Sequence, residues 1–482
     1  MGLAYVISLV GLLCLGLGLC MLLPMAVGLF YSEANWSAFL TGALASCVLG
    51  AGLWFSLRDH QAKEMNHRQG MAVVALGWLA AALLGGLPLY LSGDFATFTD
   101  AFFEASSGFT TTGASVLTDV EKASRSVLFW RALTHWLGGM GFIVLSLAIL
   151  PFVGVGGMQL YKAEVPSPTP DRLQPRIADT ASALWKVYAL LTGLETALLM
   201  LGGMDWFDAI CHAFATLATG GFSNRNASIA AYESAYIEWV VSVFMLLAGI
   251  NFSLHYWLLK RRWTAWFKDE EARFYLGLCA LASLAIALAL FLAQEMGIHD
   301  SLRLAVFQVA TIITTTGFAT ADYSQWTSFP VAVLVVLMLV GGSAGSTGGG
   351  PKVMRVLVVI KQSYFEFLRL VHPRLVTPMR LNGQGLDRQV VASVWSFLGL
   401  YLACFVVVGL ILAALGSDLA TAFSASIACL GNIGPGLGQV GPAGNYAALS
   451  DLAKWVLALA MIVGRLEVYT VLILLVPEFW RR

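Results

Sequence analysis

Four stretches of this 482-residue chain combine Gly with Thr or Asn in a pattern that suits one chemistry, the replacement of an ion's hydration shell by neutral oxygens. They read TDAFFEASSGFTTTGAS (99–115), FDAICHAFATLATGGFS (207–223), RLAVFQVATIITTTGFA (303–319) and ATAFSASIACLGNIGPG (420–436). In each, Ala stands twelve residues before a Gly, and those glycines (Gly113, Gly221, Gly317, Gly434) recur at a period of roughly one hundred residues. Gly admits backbone angles that a Cβ hinders, so successive carbonyls can be turned inward. Thr adds a hydroxyl acceptor. Rings of such oxygens hold a permeating alkali cation. The candidate donors are Thr111, Thr112, Gly113; Thr219, Gly220, Gly221; Thr315, Thr316, Gly317; and Asn432, Ile433, Gly434. Re-entrant loops that merely pack would look similar singly, but not four times at one offset.

A second cluster lies at 339–352, LVGGSAGSTGGGPK. It superficially suggests a phosphate-binding loop, but Pro351 separates Gly350 from Lys352, Val353 follows, and no strand precedes it. Gly341, Gly342, Gly345, Gly348, Gly349 and Gly350 cannot sustain a helix, at about 1 kcal/mol each relative to Ala. The expectation is a helix broken inside a bilayer, with Ser343, Ser346 and Thr347 meeting the freed backbone or water. Arg465 and Glu467 stand in the last apolar window, and intramembrane charges are functional candidates by default. From a helix start near Asp451, Arg465 lies ~21 Å down, just past the bilayer centre. Two residues apart, Arg465 and Glu467 face different directions, which disfavours a mutual bridge; an ion pair with Glu195, or with Glu467 of another copy, is the structural alternative. His135 and His212 lack metal-binding spacing and read as packing residues. No Ser-His-Asp set or paired catalytic carboxylates emerge, so no catalytic residue is assigned and an enzyme is not expected.

The elements that must position these residues follow from composition. The chain is 58% hydrophobic and only 12% charged, about half the charge of a soluble domain. Lys+Arg and Asp+Glu balance at 28 each, giving no field for nucleic acid. Seven cysteines sit in apolar stretches without CxxC spacing and read as small buried hydrophobes. About ten windows approach the length of a spanning helix: 3–30, 36–57, 71–93, 126–150, 185–204, 239–259, 274–294, 329–351, 389–416 and 455–476. With an inside N-terminus, the loops on that side hold 21 Lys and Arg against five on the other, a strong positive-inside signal that places both termini inside. The opposite loops are acidic, which favours cations at the entry side. The fold class is therefore an all-α polytopic membrane protein: an N-terminal helix pair (1–65), then four span–pore-loop–span repeats around one pore (66–165, 166–262, 263–380 with the broken helix, and 381–482).

FTTTGAS, ATGGFSN, TTTGFAT and GNIGPGLG resemble the selectivity filters of the Trk/Ktr/HKT superfamily of potassium transporters. The chain as a whole resembles its bacterial Trk-type membrane subunits, with FWRALTHWLGGMGFIV (129–144) and VGRLEVYTVLIL (463–474) extending the likeness. The fourth stretch departs from TTTG, as the family's fourth repeat does. The resemblance implies potassium as the transported ion, no organic cofactor, and a bacterial inner-membrane location. It implies that the glycine-rich stretch is an intramembrane gating loop and that Arg465 is its electrostatic partner. It further implies a homodimer with one pore per chain and a cytosolic regulatory ring of Rossmann-type, nucleotide-binding subunits. Gly113, where Ser accompanies sodium transport in the family, favours potassium. The stretch 352–388 carries Lys352, Arg355, Lys361, Arg369, Arg374, Arg380 and Arg388 beside Phe365, Phe367 and Leu370, and is the expected docking face for that ring; anionic membrane lipids are the other candidate for its charge. A secondary transporter of another class, with broken helices at the midplane, would predict inverted repeats and two discontinuous segments instead of four loops on one side.

Overall fold

The computed structural model describes residues 2–57, 65–141, 177–293, 296–374 and 379–481. Among these, six helices are long and apolar enough to cross a membrane, and eight spans result if two bent pairs each count as one. The chain opens with α1 (Leu3–Cys20), α2 (Leu22–Phe30) and α3 (Trp36–Leu57). The α1/α3 crossing is close because it is made by small residues: a Cβ on Gly11 would lie 2.9 Å from Gly50 O, and one on Gly50 would lie 2.5 Å from Gly11 O.

Four similar units follow. The first holds α4 (His67–Leu91), α5 (Phe98–Phe109) and α6 (Arg125–Gly139); the second α7 (Ile177–Leu201), α8 (Trp206–Leu217), α9 (Ala235–Ala248) and α10 (Phe252–Leu259). After α11 (Trp263–Lys268), the third holds α12 (Glu270–Ala293), α13 (Ile298–Ile313), α14 (Ser328–Met338) and α15 (Val353–Val371). The fourth holds α16 (Arg388–Ala414), α17 (Leu419–Leu430), α18 (Asp451–Arg465), α19 (Tyr469–Leu472) and α20 (Pro477–Trp480). A two-residue hairpin, β1 (Arg380–Leu381) with β2 (Gln384–Gly385), is the one departure from all-α character among the described residues.

In each unit the middle helix is short. Twelve residues in α5, α8 and α17 make about 18 Å, too little to span ~30 Å of hydrocarbon. Side-chain caps start three of them, from Thr97, Asp205 and Asp418. The helix after it then stops midway. The windows expected as continuous spans at 239–259 and 455–476 are bent by 100° and 110° at their breaks, and α14 ends at Met338 with no helix again until Val353. The window 126–150 is helical through Gly139, and residues 142–150 lie outside the described ones, as does the expected boundary at 165/166.

Buried clusters join the units in a cycle. Leu128 and Ala132 pack with Phe207 and Cys211, Phe307 and Ala310 with the second unit, Ile427 and Ile433 with the third. The cluster that contains Phe102 and Phe109 also contains Cys429 and Leu457, which closes the fourth unit on the first.

Candidate functional site

Each short helix ends four residues before its key glycine, and the turn between repeats the same backbone. Thr111, Thr219, Thr315 and Asn432 have φ of 53°, 53°, 60° and 55°, and Gly113, Gly221, Gly317 and Gly434 have φ of 78°, 80°, 86° and 94°. The residue between them (Thr112, Gly220, Thr316, Ile433) is outside the left-handed region. A left-handed residue on either side of an ordinary one turns successive carbonyls the same way, and for the non-Gly members this is a strained conformation. Helix ends hold the strain: the N–H of Thr112, Gly220, Thr316 and Ile433 each donates to a carbonyl of its short helix, at 2.8–2.9 Å.

The four turns form one ring. A Cβ added to Gly113 would run into Gly220 O, one on Gly221 into Thr316 O, one on Gly317 into Ile433 O, and one on Gly434 would lie 2.6 Å from Thr112 O. The contacts run from the first unit to the second, third and fourth and back to the first, always onto the same carbonyl position. All four glycines line a single outer cavity of about 220 Å³. The ring is thus built of neutral oxygens. Two further buried oxygens, Thr111 Oγ1 and Asn432 Oδ1, have no hydrogen-bond partner, and unpaired buried acceptors call for a donor or a cation. Among the described residues no group of three His, Cys, Asp or Glu side chains could chelate a metal. The donor set suits a hard monovalent cation.

On the other side of the ring lies the glycine-rich loop, in contact with the second, third and fourth units directly and with the first through Arg465. Thr347 Oγ1 donates to Leu217 O at 2.9 Å, Gly349 N donates to Thr315 Oγ1 at 2.7 Å, and a Cβ on Gly349 would lie 2.5 Å from Gly431 O. Arg465 supplies the fourth connection, donating to Thr347 O at 2.8 Å and to Gly138 O and Gly139 O at 2.9 and 3.1 Å. Gly341, Gly345 and Gly350 take φ of 82°, 75° and 69°, which explains the density of glycine. Gly342 and Gly348 pack at close quarters around Ser346 Oγ.

The charges expected nearby are redistributed. Glu467 does not continue the last helix; with φ of 56° it turns away after Leu466 and pairs with Arg355 of the same chain. The seven basic residues of 352–388 are not all surface charge either. Lys352 reaches Gly348 O inside the loop, Arg355 is bound to Glu467 and Pro351 O, and Lys361 to Glu270 and Arg380 O. Arg369 pairs with Glu366 on the surface, whereas Arg374, Arg380 and Arg388 are exposed. Phe367 and Leu370 are 66% and 80% exposed, but Phe365 packs inward.

Several residues that hold this site were given no such role in the sequence reading. At nine positions before each glycine stand Glu104, His212, Gln308 and Ala425. Glu104 accepts from Ser115 Oγ and Val116 N, His212 Nε2 accepts from Ser223 Oγ, and Gln308 Nε2 donates to Thr320 Oγ1 at 3.4 Å. Each ties the short helix to the strand leaving the ring; Ser424, one residue earlier than Ala425, does so through Leu437 N. A polar residue at one register in an otherwise apolar helix was the available signal. His135 and His212 are satisfied in packing, His135 Nδ1 donating to Gly108 O while Nε2 accepts from Phe222 N. Glu271 Oε1 accepts from Ala344 N and Met354 N, holding the middle of the glycine-rich loop to the first turn of α15.

The family described as TrkH, cation transport protein, matches residues 36–482. The chain is 41% identical to the Trk system potassium uptake protein TrkH of Halomonas elongata, over all of both chains, and 40% identical to that of Escherichia coli K12, over 98% of each. The crystal structure of the potassium transporter TrkH from Vibrio parahaemolyticus superposes with a TM-score of 0.90 at 39% identity, covering all of both chains.

Proposed function

This chain belongs to the TrkH family of cation transport proteins, and on that premise we propose that it takes up potassium across a cell membrane through the four-turn ring. The observation that carries the reading is the cyclic approach of each key glycine to the carbonyl one residue before the next. The carbonyls of Thr112, Gly220, Thr316 and Ile433, with their flanking turn residues, form a selectivity filter at the axis of four repeats in a single chain. Neutral oxygens suit a monovalent cation, because they replace its hydration without the trapping that carboxylates bring to a divalent one. The negative, C-terminal ends of the short helices add a favourable field on the inner side.

Below the filter, the loop 341–350 and Arg465 act as the gate. The guanidinium sits among carbonyls on the ion's route and adds a positive barrier while it holds Thr347. The hydrogen bonds of Thr347, Gly349 and Arg465 to surrounding units support this assignment. The gate is linked through Val353, whose N–H donates to Gly342 O at 2.9 Å, to the cytoplasmic helix α15. A cytosolic nucleotide-binding subunit that binds Arg374, Arg380, Phe367 and Leu370 would pull on that helix. Both termini are cytoplasmic, the membrane is the bacterial inner membrane, and the protein works as a homodimer; these three points rest on the basic-loop asymmetry and the family likeness. Rubidium or potassium flux into proteoliposomes, with sodium as competitor, tests the core of the reading. Uptake with no preference for potassium over sodium would overturn it.

A further inference from the structure

Two arginines line the cavity above the filter, Arg131 and Arg225. A fixed cation in the wall of a cation's entry is electrostatically wrong unless it is cancelled. Arg225, 42% exposed, is matched by Asp208 of α8 at 2.8 Å and partly screened by water. Arg131 is different: its side chain is 2% exposed, and its partner Glu104 of α5 is 0% exposed. Arg131 Nε donates to Glu104 Oε1 at 2.7 Å, Nη2 to Ser115 Oγ at 3.2 Å and Nη1 to Ser223 O at 3.3 Å, and the guanidinium lies 4.0 Å from the centre of the Phe222 ring. It therefore straps the exit strands of the first and second units together just outside Gly113 and Gly221. The strapping does not itself require charge, since His212 and Gln308 secure their own exit strands from the same register with neutral groups.

We propose that Glu104 is the dedicated counter-charge that hides Arg131 from the permeating ion, letting the guanidinium bind two exit strands without repelling cations at the outer mouth. The proposal rests on the filter reading above. Glu104 is a positioning and electrostatic residue, not an ion ligand: its second oxygen is taken by Val116 N at 2.9 Å. With Glu104 neutral, a uncompensated unit charge at roughly 10 Å in an effective dielectric of ~20 lowers the local cation concentration on the order of tenfold.

The test measures rubidium uptake into proteoliposomes against external potassium for the wild type, Glu104→Gln, Arg131→Gln, the double variant and Glu104→Asp. The expected result is a half-saturating potassium concentration raised roughly tenfold in Glu104→Gln, restored to within about twofold of wild type when Arg131→Gln is added, and largely rescued in Glu104→Asp. A merely structural pair predicts otherwise: both single variants weaken to the same degree, the double variant is no better than either, and that outcome would overturn the proposal. If Glu104→Gln does not fold, the comparison passes to Arg131→Gln and the double variant; stronger potassium uptake in Arg131→Gln than in the double variant supports the assigned charge, and equal or weaker uptake contradicts it. A wild type without potassium selectivity sinks the filter reading instead, so the two failures are distinguishable.

Discussion

Replacing Gly113 by Ser should cost this protein much of its preference for potassium over sodium. Two effects act together. At φ of 78° a side chain is held in the left-handed region, a strain on the order of 1–3 kcal/mol. The new Cβ also runs into Gly220 O, and ordinary van der Waals separation requires that oxygen to retreat by more than ~1 Å. Gly220 O is one of four carbonyls at its level, so a quarter of the coordination shell moves. The neighbouring units cannot easily follow, because Gly221 is itself pressed against Thr316 O and the ring is closed through Gly434. If half to all of a mid-range strain of ~2 kcal/mol is expressed as lost fit to the larger ion, about 1–2 kcal/mol of discrimination disappears, a factor of roughly 5–30 in the potassium-to-sodium ratio. The assay is competition between sodium and potassium for rubidium uptake in proteoliposomes, with the folded fraction of each preparation checked by its thermal transition. An unchanged ratio in well-folded Gly113→Ser protein would refute the placement of the filter.

Arg465→Ala removes the hydrogen bonds to Thr347 O, Gly138 O and Gly139 O; basal flux should rise several-fold with the ion preference unchanged, and flux at or below the wild-type level would count against a gating role. Charge reversal at Arg369, Arg374 and Arg380 should weaken association with the proposed cytosolic regulatory subunit in a pull-down while leaving the isolated pore selective; full nucleotide-dependent gating in that variant would remove the docking face. Asp119, in the loop before α6, accepts from Asn226 Nδ2 and pairs with Lys122, both at 2.8 Å, and these contacts, Asn226 first, hold its carboxyl below the ordinary carboxylate range. A depressed pKa contributes stability above the unfolded value and loses it only as pH falls through the folded one, so this tie between the first two exit loops should survive external acidification to about pH 5; hydrogen exchange at residues 119–122 that rises already between neutrality and that point would contradict the sign.

The parts of the site legible in the sequence were those with a repeated spacing. Gly113, Gly221, Gly317 and Gly434 announce themselves because the same backbone conformation is needed four times, and only Gly tolerates a carbonyl so near its Cα. The broken third span was readable from six glycines in ten residues. The breaks after Ala248 and Arg465 were not, because the windows around them keep a high mean hydropathy in spite of Arg465 and Glu467, and the cause is tertiary: Gly249 is pressed beneath Tyr275 and Thr314, and a Cβ on Gly464 would run into Leu430 O. Hydropathy reports composition along a window and is blind to a 100° bend within it. Pairings such as Arg355 with Glu467, 112 residues apart, and Glu271 with Ala344 N, 73 apart, depend on the closed ring and leave no local trace. The register nine before each glycine sits between these cases, visible as periodic polarity but meaningful only once the exit strands fold back.

Why the helices should break at one level follows from what a helix end costs in a bilayer. The last carbonyls of each broken helix have no intrahelical partner, and in hydrocarbon each would be expensive. Here Ala248 O accepts from Thr347 N and Oγ1, Leu217 O from Thr347 Oγ1, and Gly138 O and Gly139 O from Arg465. The proposed gate is therefore assembled from the groups that complete the helix termini. If the loop withdraws, those carbonyls need new donors, and at that depth only water can supply them. Opening and hydration of the cavity beneath the filter are then one event, and the carbonyls released by the loop would line the path of the ion. A continuous helix would satisfy the same carbonyls permanently and leave nothing to exchange, which gives a physical reason for the broken second spans of the second, third and fourth units.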